Sequence, residues 1–368
     1  MQRRRFVTSA ALGGAALAAA LPRPAIAQTP PEVQWQLASS FPRALGTLNG
    51  GIEYLCARVA ALTDNKFQIR PFAPGELAPP LAVLDAVQAG TVEIGHTAPN
   101  YYTGRNPALA FASALPFGLT SRQQMAWLRH GNGLELINDV LKDAGCLGIP
   151  AGNTGAQMGG WYRKEIRAPD DLKGLKIRVA GLAGDVLARM GAAPQLLAGG
   201  DIATALEKRG VDAAAWTGPY DDEKLGLNKF ARIYHYPGWW AGNETLWAIV
   251  NLDKWRDLPA IYKAALETAC YDAGSWMQAK YDAENPAALR RLVAGGTVLR
   301  PFPPDVLQAA GRASLAVVND LAAKNPAFRK IAESWKPFRG EEGMWFQVAE
   351  TGFANLFTPQ ARAAQPPR

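Results

Sequence analysis

"VQWQLASS" (residues 33–40) alternates apolar and polar side chains, which predicts a half-buried β-strand. The next segment, "NGGIEYLCARVAALTD" (49–64), places apolar residues at helical spacing, and "KFQIRPFA" (66–73) alternates again as a strand. The helix pattern "LAVLDAVQAG" (81–90) and the strand pattern "VEIGHTA" (92–98) repeat the unit. This βαβ rhythm predicts the α/β class, with a mostly parallel sheet and ligand-binding loops at its carboxyl edge.

A second group of elements begins near residue 151 and predicts a second lobe. It includes the strand pattern "LKIRVAG" (175–181) and the strand pattern "VDAAAWTG" (211–218). The segment "ETLWAIVNLDKW" (244–255) then predicts a strand that returns to the first lobe, before long helical patterns at 261–285 and 303–325. A chain that leaves one lobe and later returns forms a two-stranded hinge, which allows closure over a ligand.

The first 27 residues have the composition of a cleaved export signal. A basic start, "QRRRF", precedes a short run rich in Ala, Leu and Gly, and a small-residue "AIA" precedes Gln28. The three consecutive arginines give it the twin-arginine form, although a Sec signal or a membrane anchor stays open as an alternative. Without this segment the formal charge falls from +7 to +3, because it contains four arginines and no acid, so nucleic acid is not an expected partner. We expect the mature chain in the periplasm.

Several common catalytic and cofactor motifs are absent from the sequence. The three histidines form no H-x-x-x-H pair, and there is no GxGxxG after a strand, no GxxxxGK[ST] and no GxSxG. The three cysteines, Cys56, Cys146 and Cys270, have neither zinc-site nor disulfide-scaffold spacing, although one disulfide of undetermined pairing stays open. We interpret the acidic run Asp221–Glu223 as a solvated helix start rather than a metal cluster.

Arg178 lies within the apolar strand pattern "LKIRVAG", where a charge is unexpected. A guanidinium does not lose its charge on burial, so this position requires an anion nearby. We expect the carboxylate of a ligand, since a guanidinium offers two parallel N–H donors to it. A structural salt bridge to Asp185 or Glu165 is the alternative.

Six segments carry a resemblance to one protein family: "ASSFP" (38–42), "GHTAPNYYTGRNPALAFASALPFGLTSRQ" (95–123), "GNTGAQMGGWYRKEI" (152–166), "DDLKGLKIRVAGLAGDVLARMGA" (170–192), "WTGPYDDEKLGL" (216–227) and "YHYPGWW" (234–240). Together they resemble the substrate-binding subunits of TRAP transporters, the DctP-type extracytoplasmic receptors. The chain is most similar to the branch that binds 2-oxo acids such as pyruvate. The resemblance implies a periplasmic receptor, not an enzyme, that delivers a small organic acid to small and large membrane subunits.

The family fold is the two-lobed, type II-like arrangement of periplasmic binding proteins, with a hinge and long C-terminal helices. The expected division is an export signal (1–27), the first part of lobe I (28–150), lobe II (151–241), a return to lobe I with a hinge helix (242–300) and a C-terminal helical region (301–368). That last region packs either on the lobes or on a dimer partner. The long helical patterns from residue 261 onward include four candidates for a dimer contact, with packing on their own chain as the alternative: Trp276, Met277, Trp345 and Phe346.

The resemblance also assigns substrate-binding residues. In this family the arginine at the position of Arg178 binds the ligand carboxylate. Asn153 and Gln157 border the cleft with their amide groups. Trp216 forms a flat wall against the ligand. Further candidates line the cleft from either lobe: Phe41, Tyr101 and Trp240. For each of these, an ordinary packing or loop role is the alternative.

The chain departs from the 2-oxo acid branch at two positions where glutamates commonly hold a cation beside the ligand. Here those positions are Ala215 and Ala241, which cannot ligate a metal. We therefore expect no bound Na⁺ or Ca²⁺. Glu244 compensates for the two missing carboxylates only if its side chain faces the same part of the cleft. The smaller side chains leave a larger pocket, which favours a longer carboxylate and disfavours a ligand that brings its own amine.

Two other functions stay open at this point. A periplasmic lyase or isomerase acting on carboxylates requires a proton-transfer group, for which Tyr101, Glu244 and His96 are the candidates. A sensory carboxylate-binding protein requires no transporter. The receptor hypothesis instead predicts a hinge whose closed form is favoured by the ligand, through contacts to Arg178 on one lobe and to groups on the other.

Overall fold

The computed structural model describes residues 31–356 of the 368-residue chain. The predicted export signal (1–27) lies outside the described residues, as does the end of the predicted C-terminal region (357–368). Within the described range, no helix is both long enough and apolar enough to cross a membrane.

The strands form two sheets, and the predicted α/β class is confirmed. In chain order they are β1 (Val33–Ser39), β2 (Phe67–Phe72), β3 (Ile94–Thr97), β4 (Cys146–Asn153), β5 (Trp161–Tyr162), β6 (Lys176–Arg178), β7 (Ala193–Gln195), β8 (Ala213–Ala214), β9 (Ile233–Tyr236), β10 (Thr245–Asn251) and β11 (Val298–Pro301). The first sheet has the order β2-β1-β3-β10-β4, and the second has the order β11-β9-β5-β8-β6-β7.

Both sheets are mixed rather than mostly parallel. Strand β1 is parallel to β2 and β3, and β6 is parallel to β7 and β8, as the βαβ rhythm predicts. In contrast, β10 runs antiparallel to β3 and β4, and β5 runs antiparallel to β8 and β9. Each of these two strands enters directly from the other sheet, without the crossover helix that makes sequential strands parallel.

Helices cover the sheets and join them. They are α1 (Leu48–Leu62), α2 (Val83–Gln88), α3 (Ala110–Ser113), α4 (Ser121–His130), α5 (Gly133–Asp143), α6 (Leu182–Arg189), α7 (Ile202–Glu207), α8 (Pro219–Lys224), α9 (Leu252–Asp257), α10 (Ala260–Ala294), α11 (Pro304–Lys324) and α12 (Pro326–Phe346). Proline occupies the first turn of α8, α11 and α12, where its missing N–H has no helical partner to lose. At the start of α12, the Asn325 side chain accepts a hydrogen bond of 2.8 Å from the Phe328 N–H.

Helix α10 is longer than predicted and connects the two sheets. Its pattern was expected to end at residue 285, before Pro286, but the helix continues through this proline to Ala294. Arg58 of α1 forms an ion pair of 2.7 Å with Asp272 near the middle of α10, and Arg291 near its end forms one of 2.6 Å with Glu223 of α8. Contacts at both ends hold the helix together across the proline.

The chain connects the sheets three times rather than twice. Strand β4 leads to β5, β9 leads to β10, and α10 leads to β11. Strand β11 pairs in parallel with β9 in the second sheet, so residues 298–300 do not belong to the return into the first lobe, where the sequence analysis placed them. A two-stranded hinge is therefore an incomplete description, because α10 is a third connection.

The first two residues of the acidic run at the start of α8 are buried, which contradicts the interpretation of the run as a solvated helix start. Asp222 is 1% exposed and accepts hydrogen bonds of 2.8 Å from the Trp161 indole and from the Tyr234 hydroxyl. Asp221 is fully buried and accepts a hydrogen bond from the Tyr281 hydroxyl of α10. Burial raises the pKa of Asp221 to about 6 and that of Asp222 to about 7.

All three cysteines are free and buried, so none of the disulfide pairings left open by the sequence is formed. Cys56 lies on the buried face of α1, as its helical spacing predicts, and Cys270 lies on the buried face of α10. Met277 of α10 is also fully buried and packs against Gly51 and Gly152 of its own chain. Met277 therefore packs on its own chain, which is one of the two alternatives left open by the sequence.

Candidate functional site

A cavity of about 40 Å³ lies where the two sheets face each other. That volume holds about three water molecules, so the site fits a small ligand rather than a large one. From the first-sheet side its lining includes Phe41, Asn100, Tyr101 and Glu244, and from the second-sheet side Arg178, Ala215, Trp216 and Thr217. The remaining wall is apolar apart from Thr154 and Gln157 in the connection between the sheets: Leu48, Ala98, Ala114, Val179, Ala180, Ala183, Trp240, Ala241 and Leu246.

Arg178, the last residue of β6, is 3% exposed and lines the cavity. Its Nε donates to the carbonyl oxygen of Leu197 at 3.0 Å, and its Nη1 donates to that of Ala215 at 2.8 Å. Its Nη2 has no hydrogen-bond partner although it is buried. Two backbone anchors therefore fix the guanidinium and leave one donor for another group.

No carboxylate in the described part of the chain forms an ion pair with Arg178. Glu165, one of the two acids considered as its partner, instead pairs with Arg167 at 3.0 Å and with Arg300 at 3.1 Å. Burial lowers the pKa of the Arg178 guanidinium, but arginine stays protonated in proteins. The described chain thus leaves a buried positive charge without a direct counter-ion.

Trp216 lines the cavity, where the sequence analysis predicts a flat wall against the ligand. Its ring lies 4.9 Å from the Arg178 guanidinium carbon, a distance that allows a cation–π contact. The ring also packs so closely against Gly199 that a side chain there would overlap it. The indole Nε1 groups of Trp216 and Trp240 are buried without hydrogen-bond partners, so the cavity has further unused donors.

Three other predicted residues also line the cavity. Phe41 is 1% exposed and lies between the His96 ring, at 5.5 Å, and the Tyr101 ring, at 6.4 Å. Burial raises the pKa of Tyr101 to about 12, so this residue is a neutral donor. Gln157 is half-buried and its backbone N–H donates to the Ala241 carbonyl at 3.1 Å, which places its amide at the cavity.

Asn153 does not line the cavity, so its predicted ligand contact is not supported. Its side-chain N–H group donates to Asn243 and Thr245 at 3.1 Å each, and its side-chain oxygen accepts from the Gly155 N–H at 2.9 Å. These bonds join β4 to the start of β10, and they occupy both the side-chain N–H group and the side-chain oxygen of Asn153. Its neighbour Thr154 faces the cavity instead.

Glu244 lines the same cavity as Arg178. The sequence left open whether this residue faces the site, and in the structure it does. It is half-buried, and it accepts hydrogen bonds from the Asn100 amide at 3.0 Å and the Ser113 hydroxyl at 2.7 Å. Burial raises the pKa of Glu244 to about 7, partly offset by these two donors and by the charge of Arg178. Within the lining, it is the one carboxylate.

Three polar lining residues were not identified from the sequence: Asn100, Thr154 and Thr217. Asn100 follows β3 and Thr217 follows β8, so each lies at the carboxyl end of a strand, where ligand loops gather in α/β folds. Their position after a strand was the sequence signal that could have identified them.

His96, in contrast, is fully buried inside the first sheet, where its Nε2 contacts the Ala151 carbonyl at 3.3 Å, and it does not line the cavity. Burial lowers its pKa to about 4.

Two mixed α/β sheets that share one cavity with mostly apolar walls and a few polar groups define the class of two-lobed solute receptors. The model of one protein family, "Bacterial extracellular solute-binding protein, family 7" (DctP), matches residues 39–325, and the chain belongs to this family. The predicted family is therefore confirmed, and with it an extracytoplasmic, periplasmic class of protein.

Individual relatives cover nearly the same part of the chain. A "monocarboxylate 2-oxoacid-binding periplasmic protein" from Nostoc sp. (strain PCC 7120) is 49% identical over 89% of each chain. A TRAP transporter solute-binding protein from Bordetella bronchiseptica RB50, solved as a dimer with calcium and picolinate, is 45% identical, with a TM-score of 0.90 over 91% of this chain and 100% of that one. One from Pseudoalteromonas atlantica T6c, with sodium and pyruvate, is 32% identical, with a TM-score of 0.86 over 88% and 99%.

Proposed function

We propose that this protein is the periplasmic receptor of a TRAP transporter and that it binds a small monocarboxylate of the 2-oxo acid type. The observation that carries the proposal is the buried guanidinium of Arg178, whose Nη2 has no partner and which lines a cavity between the two sheets. An isolated buried charge is costly, and a ligand carboxylate supplies the missing counter-ion. The names of the relatives from Nostoc and Pseudoalteromonas, a 2-oxoacid-binding protein and a pyruvate complex, support the same ligand class.

Binding works by stabilising the closed arrangement of the two lobes. Arg178 belongs to the second sheet, whereas Asn100 and Tyr101 approach the cavity from the first. A carboxylate held by Arg178 that also accepts from these groups binds the closed form better than an open form that presents only one side. Only such a difference in affinity shifts the population toward closure. The membrane subunits then receive the ligand from the closed receptor.

The lyase or isomerase alternative has no support from the relatives, which are named as binding proteins. Of its three candidate groups, His96 lies outside the cavity. Tyr101 holds its proton firmly, because burial raises its pKa to about 12. Glu244 is the one candidate proton-transfer group that lines the cavity and titrates near neutral pH. Because the relatives are named as binding proteins, we assign the cavity to binding.

The relatives from Bordetella and Pseudoalteromonas hold calcium or sodium beside the ligand, but the residues of this cavity do not fit such an ion. Ala215 and Ala241 both line the cavity with methyl groups at the positions where the resemblance places glutamates. The lining contributes one carboxylate, Glu244, whose Oε1 already accepts two hydrogen bonds. Hard cations require several oxygen ligands, so this receptor works without a bound metal.

The protein also forms a dimer through its C-terminal region. The relative from Bordetella is a dimer. In this chain α12 and the turn after it expose apolar side chains at 59% or more: Met344, Trp345, Val348 and Leu356. Phe346, which was also predicted for this contact, is half-buried under Arg122.

Ligand binding by the purified mature protein tests the proposed function. Pyruvate and picolinate are the first probes, because relatives bind them. A bound ligand raises the melting temperature by mass action, and isothermal titration calorimetry then gives the affinity. The proposal predicts binding that Arg178→Ala removes and that Arg300→Ala, an exposed arginine of the same sheet, retains. Failure of both probes under all conditions contradicts it.

A further inference from the structure

Glu244 lies at the cavity opposite Arg178, and these two residues are the charged members of its lining. Their charges have opposite signs and interact across the cavity, but no direct ion pair joins them in the free protein. A bound monocarboxylate adds one negative charge, which an enclosed cavity with mostly apolar walls disfavours strongly. Relatives meet this demand with calcium or sodium, which the residues here do not fit.

We propose that a proton on Glu244 takes the place of the cation, so that carboxylate binding is independent of metal ions and coupled to the uptake of one proton. This inference rests on the proposed function, because it needs a monocarboxylate bound at Arg178. It identifies Glu244 as the residue that recognises the second oxygen of the ligand, an oxo or hydroxyl group, by donating a hydrogen bond to it.

The hydrogen bonds of Glu244 leave one of its oxygens for this task. Its Oε1 accepts from Asn100 at 3.0 Å and from Ser113 at 2.7 Å. Its Oε2 has only the longer contact of 3.2 Å to the same Asn100 amide. A carboxylic acid has one O–H donor, so a proton on Oε2 faces a ligand while Oε1 keeps both of its donors.

The groups around Glu244 favour the protonated form once a ligand is bound. Burial already raises the pKa of Glu244 to about 7, and Arg178 is the charge that opposes this shift. A ligand carboxylate at Arg178 adds one negative charge, which offsets the effect of the guanidinium on Glu244, so the pKa rises further. The neighbouring Tyr101 and His96 do not titrate near neutral pH, since burial raises the pKa of the first to about 12 and lowers that of the second to about 4.

The pH dependence of affinity follows from this coupling. Above about pH 7 the free protein holds Glu244 as a carboxylate, so each binding event takes up a proton from solution. Affinity then rises about tenfold for each pH unit that the solution becomes more acidic, down to the pKa of the free protein, below which it levels off. Arg178 stays charged and a 2-oxo acid stays ionised throughout this range.

Calorimetry with pyruvate and picolinate at pH 7.0, 7.5, 8.0 and 8.5 tests the inference. The expected result is an affinity that falls with pH, is unchanged by EDTA, calcium or sodium, and is accompanied by proton uptake. Titration at pH 8.0 in two buffers of different ionisation enthalpy measures that uptake directly on the unaltered protein. An affinity that is independent of pH, or one that requires calcium or sodium, overturns the inference while leaving the receptor function intact.

Two variants identify the residue that takes up the proton. Glu244→Gln carries a permanently neutral donor, so it is expected to bind pyruvate with no proton uptake and no dependence on pH. Glu76→Gln, at an exposed site on the first-sheet side, is the control and keeps the pH dependence. Proton uptake that persists in a folded Glu244→Gln variant contradicts the assignment. No binding of either probe to the unaltered protein under any condition would instead contradict the proposed function itself.

Discussion

The Nη1 of Arg178 donates a hydrogen bond of 2.8 Å to the carbonyl oxygen of Ala215. Ala215 occupies one of the two positions where the resemblance places a cation-binding glutamate. The same residue therefore anchors the arginine through its backbone while its side chain contributes no charge to the cavity. This hydrogen bond, together with the one from Nε to Leu197, fixes the guanidinium through backbone groups alone.

Replacement of Arg178 tests its role directly. We expect Arg178→Ala to weaken pyruvate binding by about a hundredfold or more, because losing one partner of a buried charge pair costs ~3–5 kcal/mol. Arg178→Lys retains the charge, but its ammonium group cannot make both backbone anchors and also contact the ligand, so we expect only partial recovery. Calorimetry measures both affinities. Arg178→Ala with unchanged affinity contradicts the assignment.

Restoring the two carboxylates tests the reason for metal independence. We expect the double variant Ala215→Glu/Ala241→Glu to bind pyruvate more tightly with calcium than with EDTA, since the two side chains supply the missing oxygen ligands. The variant Ala215→Gln/Ala241→Gln has similar volume without charge and is the matched control. Calorimetry with and without calcium distinguishes them. Equal calcium dependence in both double variants would show that charge is not the cause.

Asn153 is expected to matter for stability and not for ligand affinity. Its amide joins Asn243 and Thr245 between β4 and the start of β10, so Asn153→Ala leaves buried polar groups unpaired. Such a loss costs about 1–3 kcal/mol in the free energy of unfolding. Urea unfolding measures the stability, and calorimetry measures the affinity. A large loss of affinity in a variant with unchanged stability would show that Asn153 belongs to the ligand site.

The buried carboxyl group of Asp222 makes the stability of the folded protein depend on pH. Burial raises its pKa to about 7 in the folded protein, above the value of 3.8 for an unperturbed aspartate. The folded state therefore binds more protons than the unfolded state between about pH 4 and 7, and the stability from this group is lost as pH rises through that window. We expect Asp222→Asn to be more destabilising at pH 5 than at pH 8, with the largest effect below about pH 4. Urea unfolding of the unaltered protein and of the variant at each pH gives the difference in the free energy of unfolding. The buried histidines His96 and His235 are present in both proteins, so their contributions cancel.

The proposed dimer makes a prediction about surface residues. Trp345 and Val348 are 59% and 75% exposed. We expect Trp345→Ser/Val348→Ser to convert a dimer into a monomer, measured by light scattering during gel filtration. Leu315→Ser, at a site 61% exposed on α11, is the control and leaves the dimer intact. A monomeric unaltered protein at high concentration would contradict the proposal.

Arg178 could be found from sequence because a charge among apolar strand residues is itself an anomaly that requires an explanation. Asn153 could not be assigned correctly in the same way. A polar residue at a strand end serves a ligand or its own chain equally well, and its partners Asn243 and Thr245 are about 90 residues away. Asp222 was misjudged for the same reason, since Trp161 and Tyr234 reach it only after the sheet has formed.

The fold was predictable where neighbouring elements determine it. The βαβ unit of β1, α1 and β2 was read correctly from periodicity. The direction of β10 was not, because this strand arrives from the other sheet and its local pattern does not record which way it runs. The continuation of α10 beyond Pro286 was also missed, since contacts from distant residues outweigh the local penalty of a proline.

The unpaired indoles of Trp216 and Trp240 give this receptor a built-in optical reporter. Both rings border the cavity, and one lies against a guanidinium. An incoming anion changes the field at that ring and supplies an acceptor for its N–H, so the emission of the native protein shifts as the cavity fills. Filling and closure can therefore be followed in real time by fluorescence, with no attached dye.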